Sequence, residues 1–525
     1  MIYLLPQTIL AAAEKTPDKV AFVCGNTSWT YAETATKIQQ LARALWTAGV
    51  RKGDRVGVFL NRSIETVVAL HGIMHAGGVY VPMNPQAPAS RSRFLIQDCD
   101  FKVAVTNPSQ QKNLQQLFTE PNGLQTIIGT HLAVDGLECL SWEEIYRLPE
   151  KFTPPVPVLE TDLAYIMYTS GSTGQPKGIM HTHASGLSYA RLTADLYQLT
   201  EQDRFGNHAP IYFDISTLGY FTAPLVGATT VIATDAHTIF PTSMSSLIEK
   251  SALTVWYSVP LAIVQMLNGG LLLERDLTSL RWLFYAGEAF APKYLRQFME
   301  HFPHVAVSNI YGPAETNQCT NYNLPGPPSG DAPIPIGRTW NNTEHLIVQD
   351  NGEFLDDGAG EGELLIRSTT MLQGYWNRPD LTEKAIYVQA GPGGTQKAFY
   401  KTGDLVFQDA EGLLHFRGRK DNQIKVRGYR VELDAVETYL LAHETIAEAV
   451  VLPQPTSEGT VRLEAAVIVK KEAETVTDKV LLQYLGEKMP WYAVPERVHF
   501  LTDFPRTGSG KVNRPALKKQ LEELA

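Results

Sequence analysis

One short run constrains this chain more than any other: Tyr168-Thr169-Ser170-Gly171-Ser172-Thr173-Gly174-Gln175-Pro176-Lys177-Gly178. Gly171, Gly174 and Gly178 permit backbone conformations with positive φ. The hydroxyls of Thr169, Ser170, Ser172 and Thr173, and the N–H groups between them, can donate to phosphate oxygens. Lys177 adds a mobile positive charge. The run follows directly on the apolar stretch 164–168, which reads as a buried strand. A strand opening into a hydroxyl-rich, glycine-rich turn reads as a cradle for a triphosphate. It is not a Walker A loop, because neither Lys177 nor Lys511 sits in GxxxxGK[ST]; the residue five before Gly510 is Pro505. Gly391-Pro392-Gly393-Gly394-Thr395-Gln396 lacks the last glycine of a dinucleotide fingerprint and reads as a surface turn.

Around the loop, short apolar runs alternate with amphipathic ones. Strands are expected at 55–60, 79–82, 102–106, 164–168, 229–234, 280–286 and 305–310, with helices at 65–75 and 184–199. This alternation implies α/β layers with parallel pairing. The charge-free stretch 251–273 contains Pro260, Gln265, Asn268, Gly269 and Gly270, so it reads as a buried strand and helix rather than a membrane span. The character changes near residue 420. There 423–432 nearly alternates, 431–442 and 481–488 read as helices, and 447–452, 464–469 and 498–501 read as strands. The expected fold is α/β: a large N-terminal domain (1–420) of layered subdomains and a small, mobile α+β C-terminal domain (421–525).

Lys plus Arg number 45 and Asp plus Glu 55, a net charge of −10. That balance argues against broad nucleic-acid or anionic-membrane binding. Cys24, Cys99, Cys139 and Cys319 are scattered with no CxxC pair, so neither a zinc ribbon nor a disulfide scaffold is expected, and a reduced cytoplasmic compartment fits. The N-terminus has no basic segment ahead of an apolar run, so no signal peptide is expected.

Further segments occur in a fixed order: Tyr311-Gly312-Pro313-Ala314-Glu315-Thr316, Tyr400-Lys401-Thr402-Gly403-Asp404, Gly418-Arg419-Lys420-Asp421-Asn422-Gln423-Ile424-Lys425 and Thr507-Gly508-Ser509-Gly510-Lys511. With the phosphate loop, from about Trp29-Thr30-Tyr31 to Lys511, the chain resembles the adenylate-forming superfamily. Within it, the chain resembles free-standing amino-acid adenylation enzymes of the nonribosomal-peptide type. Ala314 replaces the threonine of the family's YGPTE, and Gly-Ser-Gly-Lys stands where the family usually reads NGK. In this family the large domain carries most of the site and the small one rotates over it.

The resemblance implies joining of a carboxylate to AMP with pyrophosphate release, then transfer of the acyl group to a thiol. Attack of one anion on another requires neutralisation and alignment. The resemblance assigns Lys511 to bridge the substrate carboxylate and the nucleotide. It assigns Glu315 to hold Mg²⁺ beside ATP, and Thr316 to donate to the α-phosphate. Thr169, Ser170, Gly171, Ser172, Thr173, Gly174 and Lys177 would cradle the phosphates. Tyr311 and Phe416 would flank adenine, and Asp404 and Arg419 would reach the ribose. Asp421 resembles the hinge, and Gly428 the loop brought up for thiol attack. Arg417, Arg419, Lys420, Lys425, Arg427 and Arg430 form a basic cluster whose rival reading, a nucleic-acid patch, lacks interleaved aromatics.

Ile211-Tyr212-Phe213-Asp214-Ile215-Ser216 resembles the FDxS segment of amino-acid-activating members, where the aspartate pairs with the α-ammonium. Counting from the motifs places the side-chain pocket at Ile215, Leu218, Leu261, Phe284, Ala286, Ile310, Gln318 and Cys319, with Lys511 completing the substrate contacts. This lining is apolar and bulky, so a charged side chain would go unpaired. L-proline is favoured, with D-alanine, valine or another aliphatic residue as rivals. The chain closes shortly after Lys511 without a carrier domain, so the expected acceptor is a separate carrier protein bearing phosphopantetheine. An acyl-CoA synthetase and a degenerate scaffold protein remain alternatives. His71 and His75 have zinc-like spacing but lack the glutamate of HExxH and read as core residues. His181 and His183 read as loop and helix-start residues, and His208 lies near the family's gating ring.

Overall fold

The computed structural model describes residues 1–169, 171, 175–356, 358–456, 460–470, 476–506 and 512–524, with Leu524 as backbone only. Ser170, Ser172, Thr173, Gly174 and Lys511 lie outside the described residues. The chain divides into two compact units. One comprises Met1–Pro85, Ser92–Tyr168 and Gly178–Lys420; the other comprises Gln86–Arg91, Thr169–Lys177 and Asp421–Ala525.

Among the described residues, the first unit is built on three sheets. In the nine-stranded sheet, Val20–Cys24, Thr229–Ile232, Arg204–Asn207, Val255–Ser258, Trp282–Ala286 and Ala306–Tyr311 run parallel. Antiparallel strands close its edges: Thr27–Thr30 on one side, Thr320–Asn323 and Arg338–Thr339 on the other. The eight-stranded sheet carries the parallel neighbours Leu163–Thr169, Val79–Pro82, Arg55–Val58, Val103–Val105, Thr126–Gly129 and Glu138–Ser141. Its inner strands are covered on both faces, which is why they read as unbroken apolar runs. The five-stranded sheet is antiparallel and includes Gly360–Ser368, Gln396–Gln408 and Leu414–Arg419.

The helix Glu65–His75 and the strand Val79–Pro82 fall where the sequence places them. The stretch 251–273 forms the buried strand Val255–Ser258 and the helix Pro260–Gly269. Among the described residues, no helix is long and apolar enough to cross a membrane. Helix Tyr31–Thr47 begins with a reciprocal cap: Glu33 N–H donates to the Thr30 hydroxyl, and the Glu33 carboxylate accepts from Thr30 N–H. His71 is fully buried in the core, as expected, while His75 is half-buried at the end of its helix. Their Nε2 atoms face the carbonyls of Tyr220 (2.9 Å) and Phe152 (3.0 Å), and burial lowers His71 to about 4.

In the second unit, Gln423–Val426 and Tyr429–Glu432 form a two-stranded hairpin. The helix expected from 431 starts at Leu433 instead, because the alternating pattern continues through Val431 and Glu432 as strand. Ile446–Pro455, Val461–Val469 and Arg497–Phe500 form a three-stranded sheet. Helices Leu433–Leu441 and Asp478–Gly486 bury Val436, Leu440, Leu481 and Leu485 against it.

The nine-stranded sheet has one sharp packing constraint. A Cβ on Gly206 would lie 2.4 Å from the Trp256 ring and 2.6 Å from Leu253. The fully buried indole cannot swing aside. Gly206→Ala is therefore predicted to destabilise the first unit by about 1–3 kcal/mol through overpacking. Urea unfolding checks this, and an unchanged midpoint contradicts it.

Candidate active site

Asp404 lies on Gln396–Gln408, directly opposite Arg419 on the neighbouring strand. Its carboxylate is in a residue only 5% exposed. The Arg419 guanidinium donates to Oδ1, and the hydroxyl of Tyr311, the last residue of Ala306–Tyr311, donates to Oδ2. A buried carboxylate is tolerable only with a cation and hydrogen bonds of this kind. Burial, then the Asp404 charge, push the Tyr311 hydroxyl well above its ordinary range, so it remains a donor. Tyr311 and Arg419, expected on adenine and ribose, are thus also tied to Asp404. Phe416, on the same strand as Arg419, presents a ring 43% exposed.

After Tyr311 the chain doubles back. A Cβ on Gly312 would lie 2.5 Å from the Asn317 carbonyl, so only glycine fits this turn, and Asn317 itself has φ +60°. Glu315 and Thr316 emerge fully buried. Four neighbours hold the segment 314–316. The Tyr375 hydroxyl donates to Glu315 Oε1 (2.8 Å), and Leu372 N–H to the Glu315 carbonyl (2.7 Å). The Thr370 hydroxyl donates to the Thr316 carbonyl (2.6 Å), and His181 Nε2 faces the Ala314 carbonyl at 3.0 Å. A carbonyl only accepts, so Nε2 carries the proton. Burial lowers His181 to about 4, and its ring stacks on Tyr165 at 4.9 Å. His181 is therefore not a loop residue: it lies buried on Lys177–Thr182. His183 opens the helix His183–Leu196, as expected. No motif marks His181, Thr370 or Tyr375; only the fold brings them to this turn.

Ile215, Leu218, Phe284, Ala286 and Ile310 meet in one apolar cluster with Tyr189, Tyr257 and Trp340. Gln318 joins them by donating Nε2–H to the Tyr257 hydroxyl (2.6 Å). Asp214 begins the short turn of helix Asp214–Ser216, and its Oδ1 accepts from Ile215 N–H (2.9 Å). Its charge, after burial, raises the Tyr165 hydroxyl. Two counted positions fall elsewhere. Leu261 is half-buried on the first turn of Pro260–Gly269, outside this cluster. Cys319 packs with Ile336, Ile347, Leu364 and Val406, and its thiol, pushed up to about 12 by burial, faces the Tyr311 carbonyl at 3.6 Å. Gln318 thus meets the aromatic cluster, whereas the Cys319 side chain packs in the neighbouring one. His208 stacks on Trp256 at 4.8 Å, and burial lowers it to about 3.

In the second unit, Thr169 carries a buried hydroxyl with no hydrogen-bond partner among the described residues. A Cβ on Gly171 would lie 2.3 Å from the Gln175 carbonyl, so this position favours glycine. A buried hydroxyl of this kind beside a glycine-only position fits donation to a phosphate oxygen. Burial raises Glu432, while Arg430 and Lys177 pull it back down. Asp421 Oδ1 accepts from Gln423 N–H (3.2 Å), and Gly428 has φ +82°. The basic cluster is largely spent locally: Arg419 on Asp404, Lys420 on Glu363 (3.1 Å), Arg427 on Glu496, and Arg417 over the Phe407 ring (5.2 Å). Among the described residues, no group of three or more metal-ligating side chains converges.

Residues 9–376 match the AMP-binding enzyme family, and residues 435–511 its C-terminal domain. The L-proline–[L-prolyl-carrier protein] ligase of Pseudomonas fluorescens is 30% identical, covering 99% of this chain and 99% of its own. Tyrocidine synthase 1 of Brevibacillus parabrevis is 35% identical over 96% of this chain and 44% of its own length. The crystal structure of the Vibrio cholerae adenylation domain AlmE, in complex with glycyl-adenosine-5'-phosphate, superimposes with a TM-score of 0.86 at 26% identity, over 100% of this chain and 98% of that one. With the buried Asp404 network and the loop it follows, these likenesses place the chain in the AMP-binding, adenylate-forming enzyme family.

Proposed function

We propose that this chain is an ATP-dependent amino-acid ligase. It forms an aminoacyl-AMP with release of pyrophosphate, then passes the acyl group to the phosphopantetheine thiol of a separate carrier protein. The observation that carries this reading is Asp214, a carboxylate set beside an apolar, aromatic-walled cluster. A carboxylate there pairs with an α-ammonium, while the cluster takes a compact apolar side chain. An acid lacking the ammonium leaves Asp214 uncompensated. L-proline is the favoured substrate: its ring is small and apolar, its secondary ammonium still meets Asp214, and the Pseudomonas relative is named for it. Free cysteines throughout the chain suit a cytoplasmic setting.

The chemistry follows from charge. Thr169 and Lys177 hold the phosphates, Asp404 accepts the ribose hydroxyls, and Tyr311 and Phe416 flank adenine. Arg419 offsets the buried Asp404 charge. Glu315 is a hard oxygen donor that would hold Mg²⁺, and the Thr316 hydroxyl would donate to the α-phosphate of the nucleotide. The ion, when bound, would screen phosphate charge. Glu315, already fixed by Tyr375, presents its carboxylate without reorganising. Lys511 bridges the two anions during adenylation, and Gly428 serves the thiol step.

Pyrophosphate exchange over the standard amino acids, D-alanine and octanoate tests the reading. Exchange with proline is expected; exchange with octanoate and no amino acid overturns it. Asp214→Ala is predicted to lower kcat/KM for the amino acid by about 10²–10³-fold, the cost of stripping a buried charge of its partner. The KM for ATP should move less than threefold. Unchanged amino-acid kinetics refute the ammonium pairing. Lys511→Ala should abolish exchange while sparing transfer from a preformed adenylate; equal loss of both steps contradicts the division of labour between Lys511 and Gly428.

A further inference from the structure

We propose that Trp491 and Tyr492 form a platform that holds the hairpin tip Arg427-Gly428 in position for thiol transfer. This rests on the reading of the Gly428 loop given above. Val426 pairs directly with Tyr429, so the hairpin between Gln423–Val426 and Tyr429–Glu432 turns in two residues. Both turn residues have positive φ, +54° at Arg427 and +82° at Gly428. Such a turn prefers asparagine, aspartate or glycine at its first position. An arginine there adopts a backbone conformation that L side chains seldom take, so the reason for it is sought in the side chain.

The Arg427 side chain has two partners. Its guanidinium lies over the Trp491 ring at 5.6 Å, and it forms an ion pair with Glu496. The residue after the turn is held by the same platform. The Tyr429 ring stacks on Tyr492 at 3.9 Å, 18° from parallel, and meets Trp491 edge-on at 5.5 Å. Trp491 and Tyr492 brace each other at 5.8 Å and 79°. They stand on the short helix Trp491–Ala493, whose Ala493 is buried in the core of the unit.

Trp491 itself is 49% exposed. Burial of its ring in the core does not account for it, whereas bracing of the tip does. A cation over an indole and a stacked tyrosine pair remove freedom from a segment that must meet a thiol in one geometry. Trp491, Tyr492 and Arg427 are positioning residues; none is assigned contact with the reacting atoms.

The test compares wild type, Trp491→Ala, Trp491→Phe and Gly428→Trp in the full chain. Trypsin cleavage after Arg427 serves as the readout of tip opening. Trp491→Ala is expected to speed cleavage there at least fivefold with an unchanged melting temperature, and Trp491→Phe to restore most of the protection. In half-reaction assays with pantetheine as the thiol, Trp491→Ala should lower thioester formation at least tenfold. Pyrophosphate exchange should stay within twofold of wild type. Unchanged cleavage, or equal loss of both half-reactions, overturns the platform. If Gly428→Trp leaves thioester formation intact, the loop assignment fails instead. If Gly428→Trp blocks it while Trp491→Ala does not, the loop stands and the platform falls.

Discussion

A buried carboxylate governs the first unit. Taking the Asp404 charge out of water costs several kcal/mol, and the attraction of Arg419 offsets this only with close geometry and a second donor. Tyr311 is that donor. The demand therefore fixes three strands at once: Asp404 and Arg419 face each other in the five-stranded sheet, and Tyr311 reaches them from the end of a strand in the nine-stranded sheet. The apolar cluster around Cys319, Ile336, Leu364 and Val406 seals the same junction, with Tyr311 packed against it. Once Tyr311 is pinned, the position of the turn that follows it is set.

That turn is then clamped from a different direction. His181, Thr370 and Leu372 bond to its backbone carbonyls, and the Tyr375 hydroxyl bonds to the Glu315 carboxylate. Bonds to carbonyls constrain where the side chains sit without consuming the groups that act on a nucleotide. The neutral state of His181 matters here: a buried imidazolium would add a charge beside Glu315, whereas the neutral ring supplies only a donor and a flat surface for Tyr165. Such preorganisation is what electrostatic stabilisation of a charged transition state requires.

The layered α/β fold was legible because buried parallel strands appear as apolar runs and amphipathic helices as a different period. Glu65–His75 and Val79–Pro82 show how directly that works. The motif order pointed to the family because glycine turns, hydroxyls and charges at fixed offsets are a local property of the chain. Facing is not local. Counting from a motif put Gln318 and Cys319 in one pocket, whereas Gln318 bonds to Tyr257 and Cys319 packs in the cluster with Ile336 and Leu364. Leu261, far from any motif, could not be registered at all. His181, read as a loop residue, became a strand residue because pairing with distant partners decides strand ends. The Tyr311–Asp404 bond joins residues far apart in sequence, and no local pattern announces it.

Arg427 shows how local rules help in the opposite direction. Where most of the chain obeys turn and strand preferences, a residue that violates them marks a place where side-chain contacts outweigh backbone preference. The basic run 417–430 carries the same lesson in charge. Read as sequence it is a block of positive charge in a chain of net charge −10. In the fold, Arg419, Lys420 and Arg427 each meet a carboxylate, and Arg417 meets an aromatic ring. The cations are thus used one at a time to fix strands and a hairpin tip. A polyanionic substrate in such a chain is recognised by a few placed donors, an orphaned hydroxyl at Thr169 among them, and not by the field of a basic surface.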